Sequence, residues 1–277
     1  MFGVVLASLG SIFSEIFAVV GKKKIDEKEV GIYTTGFLSI FWGAVLFLGI
    51  ILWKGSFNFS FASLYTFIPR IFLEIFIMSI SLRALVAADR STFNFFRTAT
   101  LPLLLVVDLL IGYSISPMQI IGMSIIVLVL IILFMNHGIN KKGIKLVIGS
   151  SILPVATISL FKHNITYYNS VEAEEFLISV TLLAYFFFMA IKHTGENPIR
   201  FLAKPLFLKQ SLSEGLGMIL NSFAYMFAPA SVITSAKRSS AIFWGVLSGN
   251  KIFKEKNIIL KLIIFVFLAT GIILLVL

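Results

Sequence analysis

The chain has 277 residues, of which 58% are apolar and only 13% charged, with a mean hydropathy of +1.01. A soluble globule carries about 25% charged residues, so the composition excludes one and makes lipid the solvent. The net charge of +10 then points to lipid head groups beside the loop lysines and not to nucleic acid.

Ten apolar segments follow in chain order, at 2–20, 31–53, 64–82, 92–112, 118–135, 144–161, 174–191, 206–224, 229–248 and 257–277. Each approaches the roughly 20 residues that a bilayer helix needs, and no ten-residue alternating pattern of the barrel type occurs. Helices satisfy their own backbone groups, as hydrocarbon demands. The sequence therefore predicts an all-α integral membrane protein with ten transmembrane helices and no room for a soluble catalytic domain. The first segment has no basic n-region and no A-x-A-like cleavage site after it, so it reads as a retained span and not a signal peptide.

Ionisable groups at bilayer depth cost about 3 kcal/mol each on insertion scales and persist where they face a cavity or a partner. They mark the candidate site. The first span carries Glu15, with no cation at i+3 or i+4, so its carboxyl is protonated, hydrated in a cavity or paired with another helix. Arg70 and Glu74 stand four apart on the third span, a spacing that pairs them along one face. The fourth holds Arg97 and, eleven residues on and on a similar face, Asp108. The eighth holds Lys209, Gln210 and Glu214, and the ninth Lys237 and Arg238. Lys237 is long enough to snorkel to the interface. Pro102 and Pro154 can open their helices locally, whereas Gly149, Ser150, Ser151, Gly215 and Gly217 permit close helix approach. Trp53 fits an interfacial belt, and Tyr167 and Tyr168 either do the same or close one mouth of a cavity.

The second half repeats the first. With the register shifted by 141, Arg97-Thr98-Ala99 meets Arg238-Ser239-Ser240, and 101–135 runs parallel to 242–276. Since each half holds five spans, the second copy re-enters the bilayer upside down, an arrangement shared by many secondary carriers. The predicted organisation is one membrane domain of two inverted five-helix repeats, 1–138 and 139–277. Symmetry brings Arg97 and Arg238 to related positions, where two guanidinium groups suit a carboxylate or phosphate.

Loop cations set the orientation. The odd-numbered connections hold Lys22, Lys23, Lys24, Lys28, Arg83, Arg90, Lys141, Lys142, Lys145, Lys192, Arg200, Lys204, Lys251, Lys254 and Lys256, fifteen in all, against two, Lys54 and Lys162, in the others. That count places the odd connections in the cytoplasm and both termini outside. The chain has no cysteine, which removes disulfides, thiolate metal sites and a cysteine nucleophile. His137, His163 and His193 are scattered through loops with no second ligand nearby, so no metal or other cofactor is expected.

Two stretches carry a family resemblance. Leu101-Pro102 through Gly112-Tyr113-Ser114-Ile115-Ser116, followed by Gln119-Ile120-Ile121-Gly122, resembles the fourth and fifth helices of EamA-type carriers of the drug/metabolite transporter superfamily. Ser248-Gly249-Asn250-Lys251-Ile252-Phe253-Lys254-Glu255-Lys256, ending in Gly271-Ile272-Ile273-Leu274-Leu275, resembles the same region again. Tyr113 stands where such families usually have glutamate, and Phe243 stands opposite Pro102. The resemblance implies a ten-helix carrier with both termini inside, opposite to the charge count. The opening helix, Leu9-Gly10-Ser11-Ile12-Phe13-Ser14-Glu15-Ile16, is similar to the first helix of small multidrug resistance proteins, which implies proton exchange at Glu15.

The function expected from these readings is a secondary transporter in the cytoplasmic membrane. It moves a small polar or amphiphilic metabolite by alternating access, with protons as a candidate coupling ion, as a monomer or homodimer. Its cavity is lined by spans one, three and four and by six, eight and nine. Glu15, Arg70, Glu74, Arg97, Asp108, Glu214 and Arg238 are the substrate or coupling candidates. An uncoupled facilitator or channel of the same fold is the alternative. An integral-membrane lipid enzyme is a third reading, without an acidic pair, metal cluster or Ser/His constellation to serve it, so no enzymatic activity is expected.

Overall fold

The computed structural model of the chain describes residues 2–55, 57–110, 116–135, 143–255 and 258–276. Gly112, Tyr113, Ser114, Ile115, His137, Lys141, Lys142 and Lys256, which the sequence reading used, lie outside the described residues. The architecture is all-helical. In chain order the helices are α1 (Phe2–Asp26), α2 (Ile32–Lys54), α3 (Leu64–Ala87), α4 (Arg90–Phe96), α5 (Thr100–Leu110), α6 (Pro117–Met135), α7 (Ile144–Ile152), α8 (Pro154–Tyr167), α9 (Val171–Thr194), α10 (Pro198–Leu202), α11 (Pro205–Ala224), α12 (Ala230–Lys251) and α13 (Ile258–Val276).

Five stretches are long and apolar enough to cross a membrane: Phe2–Asp26, Ile32–Lys54, Arg90–Leu110, Ile144–Tyr167 and Val171–Thr194. This is the make-up of a helical membrane protein. α3, α11 and α12 reach comparable lengths and carry Arg70, Glu74, Glu214, Lys237 and Arg238 within them, and α11 and α12 are the more polar.

Local chemistry sets the helix ends. Gly55 and Gly195 close α2 and α9 in the left-handed region, at φ 64° and 65°, where a side chain is strained. Ser170 and Asn197 start α9 and α10 by accepting from the backbone N–H of Ala173 and Ile199. Two prolines bend their segments. Pro102 cannot donate to the Thr98 carbonyl, and the backbone tightens into a 3-10 turn over Arg97–Ala99. Pro154 likewise separates α7 from α8. The two bends meet, since the Thr100 hydroxyl donates to the Ser151 carbonyl at 2.6 Å.

Packing is close where side chains are small. α11 lies against α1 and α2, and a methyl group on Gly217 would come within 2.8 Å of the Gly10 carbonyl oxygen. α2 also packs on α9, α6 on α13, α3 on α7 and α8, and α12 on α1, α4, α5 and α13. The connections gather at two ends. At the lysine-rich end, Glu196 accepts from the Gly31 N–H at 3.0 Å, Tyr33 stacks on His193, and Arg83 donates to the Tyr33 hydroxyl at 3.2 Å. At the opposite end, Lys54 pairs with Glu172 at 2.9 Å and the Ser60 N–H donates to Asn169 at 2.9 Å.

Candidate functional site

A cavity of about 340 Å³ lies between α1, α3, α4, the 3-10 turn, α8, α11 and α12, with Ser39 of α2 and Glu175 of α9 completing its wall. It is a small-molecule volume, at the lower end of the range for ligand pockets. Its lining is unusual for the interior of apolar helices. Glu15, Arg70, Glu74, Arg90, Arg97, Glu175, Glu214, Lys237 and Arg238 all face it.

Two of the cations are held by carboxylates, although Nη1 of Arg90 and Nε of Arg70 have no hydrogen-bond partner. Arg90, 2% exposed, donates from Nη2 to Glu15 Oε2 at 2.5 Å and from Nε to Oε1 at 3.3 Å. Ser248 adds a hydroxyl donor to the same carboxylate at 2.7 Å. Glu15 is thus in a buried interhelical ion pair, which selects one of the three states the sequence left open. The charge pattern of the sequence places Arg90 among the loop cations. The structure corrects this: helix α4 begins at Arg90 itself, and its side chain turns inward to a carboxylate 75 positions away in the chain.

Arg70 is the second. It meets Glu174 at 2.8 Å and Glu175 at 2.6 Å, with Glu74 further off at 3.8 Å, and its guanidinium lies 4.5 Å over the Phe161 ring. The helix-neighbour pair is therefore the longest of the three contacts. Asn164 and Asn169 donate to Glu174 at 2.7 and 2.5 Å, which satisfies the carboxylate that Arg70 does not fill.

The remaining cations stand differently. Among the described residues, Arg97, Lys237 and Arg238 have no carboxylate within 4.0 Å. Nε of Arg97 and of Arg238 and one oxygen of Glu214 are buried without a hydrogen-bond partner. Arg97 lies at the Pro102 bend with its guanidinium 5.1 Å over the Phe93 ring. Glu214 adjoins Ser14, Lys237 and Arg97, and Glu74 and Glu175 also act on Lys237. Five cations and four carboxylates line the cavity, which leaves one excess positive charge in a low-dielectric hollow, where an incoming anion is attracted. Lys237 faces this hollow and does not reach for an interface.

Of the sequence-predicted residues, Glu15, Arg70, Glu74, Arg97, Glu214 and Arg238 line the cavity and Asp108 does not. Asp108 sits near the end of α5, facing Ser231 at the start of α12, with Lys162 beside it. Arg90, Glu175, Lys237 and Asn94 also line the wall, and sequence reasoning passed over them as site residues. One signal was available for Arg90: it precedes Arg97 by seven residues, two helical turns along the same face. No protein-family model matches the chain, and no curated protein matches it in sequence.

Proposed function

We propose that this chain is a secondary transporter of ten transmembrane helices, arranged as two inverted five-helix repeats, that carries a small metabolite with an anionic group across the cytoplasmic membrane by alternating access. The spans are α1, α2, α3, α4 with α5, α6, α7 with α8, α9, α11, α12 and α13. Part of the packing supports the repeat, because several contacts recur when the halves are exchanged, although the close packing of α2 on α11 has only a slight counterpart in α9 on α3. α1 on α11 corresponds to α3 on α7 and α8, and α1 on α12 corresponds to α7 and α8 on the α4 to α5 segment. α2 with α9 and α6 with α13 correspond to themselves. The likeness to EamA-type carriers agrees with this arrangement.

The observation that carries the reading is the set of buried cations without counter-ions. Holding a guanidinium away from water is costly, and Arg97 and Arg238 occupy equivalent places in the two halves while facing one cavity. A carboxylate or phosphate of the cargo would supply the missing charge. Counterflow in proteoliposomes loaded with mixed organic carboxylates and phosphate monoesters tests this: wild type exchanges at least one of them, and Arg97→Met and Arg238→Met lose that exchange. Equal exchange in wild type and in the double variant rules the reading out.

An uncoupled facilitator of the same fold is favoured by one observation, the engagement of Glu15 by Arg90 and Ser248. A carboxylate held by a guanidinium is poorly placed to cycle protons, which leaves Glu214 as the coupling candidate. A pH step across the vesicle membrane separates the two: a coupled carrier accumulates cargo against its gradient, a facilitator does not, and Glu214→Gln removes the accumulation.

A further inference from the structure

One face of α3 and one face of α11 carry matching groups. On α3 these are Glu74, Met78 and Ser81, and 140 positions on, along α11, come Glu214, Met218 and Asn221. Steps of four and three residues keep each trio on one side of its helix, and all six residues line the cavity. On α3 the opposite side belongs to Phe72 and Phe76, 69% and 56% exposed, which turns Glu74 away from lipid. Each half of the chain therefore sends a carboxylate and, two turns away, a second hydrogen-bonding oxygen into the cavity.

The oxygens on these faces are not used up. Ser81 Oγ, one oxygen of Glu214 and Asn221 Oδ1 are buried without a hydrogen-bond partner, and Asn221 as a whole is 4% exposed. Glu74 is held more loosely than the other ion-paired acids at the cavity: its side chain is 24% exposed, against 0, 8 and 9% for Glu174, Glu175 and Glu15. Its ion contact among the described residues is Arg70 at 3.8 Å, and that guanidinium already donates to Glu174 at 2.8 Å and to Glu175 at 2.6 Å. A cargo that is only an anion meets the donors of Arg97 and Arg238 and leaves these acceptors unpaired, which is costly for buried polar groups. It also disturbs the charge balance. Glu174, outside the lining but bonded to Arg70, brings the carboxylates level with the five cations, so the positive excess is one of position. A molecule that bears an ammonium as well as an acid group serves both the orphan donors and the orphan acceptors, and it adds no net charge to a low-dielectric hollow.

Resting on the anion-carrier reading, we infer that the cargo is a zwitterion, with its acid group on Arg97 and Arg238 and its ammonium on Glu74 and Ser81. An ammonium offers three donors, enough for the carboxylate and the hydroxyl oxygen together. Met78 stands between those two on the same face and packs against the carbons that join the charged ends, since an unbranched thioether adapts to an irregular aliphatic shape. Glu214 is not given the ammonium. It has Arg97 as well as Lys237 beside it, whose charges repel a second cation, and it stays free for coupling.

Thermal unfolding of the detergent-solubilised protein, titrated with norvaline and δ-aminovalerate, with the hydroxy counterpart of each, with valerate and with a phosphate monoester, tests the assignment. At least one of the two amino acids should half-saturate its stabilisation at a concentration about tenfold or more below that of its hydroxy counterpart and of valerate, the scale of a hydrogen bond to a charged group. Glu74→Gln should bring these to within about twofold of one another while the effect of valerate itself is unchanged, which also reports an intact fold. Ser81→Ala, which leaves every charge in place, should narrow the preference in the same direction and carries the test if Glu74→Gln does not fold. Equal potency in wild type, or a preference that survives both substitutions, overturns the ammonium subsite while the anion reading stands. Stabilisation by the phosphate monoester and by none of the carboxylates does the same. Silence throughout removes the anion reading and this inference together.

Discussion

Arg70 and Arg97 line the same cavity, yet Arg70 is held by Glu174 and Glu175 at 2.8 and 2.6 Å while Arg97 rests on the Phe93 ring with no carboxylate within 4.0 Å among the described residues. The same contrast separates Arg90, closed onto Glu15, from Arg238, 4% exposed and unpaired among the described residues. A buried ion pair is kept by its own geometry, and removing one partner strands the other. An unpaired buried cation contributes nothing of that kind and persists because something else supplies its counter-charge. The difference divides the charges of the cavity into those that hold the helices together and those that await a ligand.

The largest expected effect comes from breaking the first class. Arg70→Met strands two carboxylates that are 0% and 6% exposed and is expected to lower stability by about 3–5 kcal/mol, read by denaturant unfolding in detergent. The double variant Glu15→Leu/Arg90→Leu sharpens the comparison, because removing both partners should cost less than Arg90→Leu alone. Next come Arg97→Met and Arg238→Met, which are expected to leave stability unchanged or raise it by on the order of 1 kcal/mol, in the same assay in which ligand-dependent stabilisation disappears. A loss as large as that of Arg70→Met would merge the two classes.

Smaller is the effect of pH on Glu255, which lies between α12 and α13. Burial opposes its ionisation, but Lys261, the Ser91 hydroxyl and the Arg90 amide outweigh it and hold the carboxyl below the ordinary value of 4.5. A depressed folded value means that the stabilisation is complete above the unfolded value and is lost as the pH falls through the folded one. The melting temperature should therefore drop on acidification below about pH 4.5, and less steeply in Glu255→Gln. The smallest effect is reserved for Lys24, paired with Glu27 and Glu29 in the open at 2.7 Å each. Exposed pairs of this kind contribute little, and Lys24→Ala should leave the melting temperature where it is.

Much of the helical framework is readable from the chain because apolar runs of membrane length admit only helices. The ends are less readable. Hydropathy stops at the first charges and starts the fourth and seventh segments at 92 and 174, whereas α4 starts at Arg90 and α9 at Val171. Those omitted residues are buried charges, Arg90 and Glu172, whose partners lie in other helices. The candidate site is legible where an ionisable residue or pair interrupts an apolar run, as at Glu15, Arg97 and Lys237-Arg238. Its pairing is not, because Glu15 finds Arg90 75 residues away and Arg70 finds Glu174 104 residues away. Local spacing favoured Glu74, the nearer residue in sequence and the weaker contact in space. Asp108 shows the limit of face arguments: the 3-10 turn and the bend at Pro102 rotate it away from Arg97 and toward Ser231.

The central claim is that Arg97, Lys237 and Arg238 form an anion site lacking its counter-charge. Thermal unfolding of the detergent-solubilised protein across a panel of small carboxylates and phosphate monoesters addresses it most directly, since a ligand bound to the folded state stabilises it by mass action. At least one of these anions should raise the melting temperature of wild type and fail to do so for Arg97→Met/Arg238→Met, with Arg70-dependent packing intact. Stabilisation by no anion, or by the same anions to the same extent in the double variant, contradicts the account.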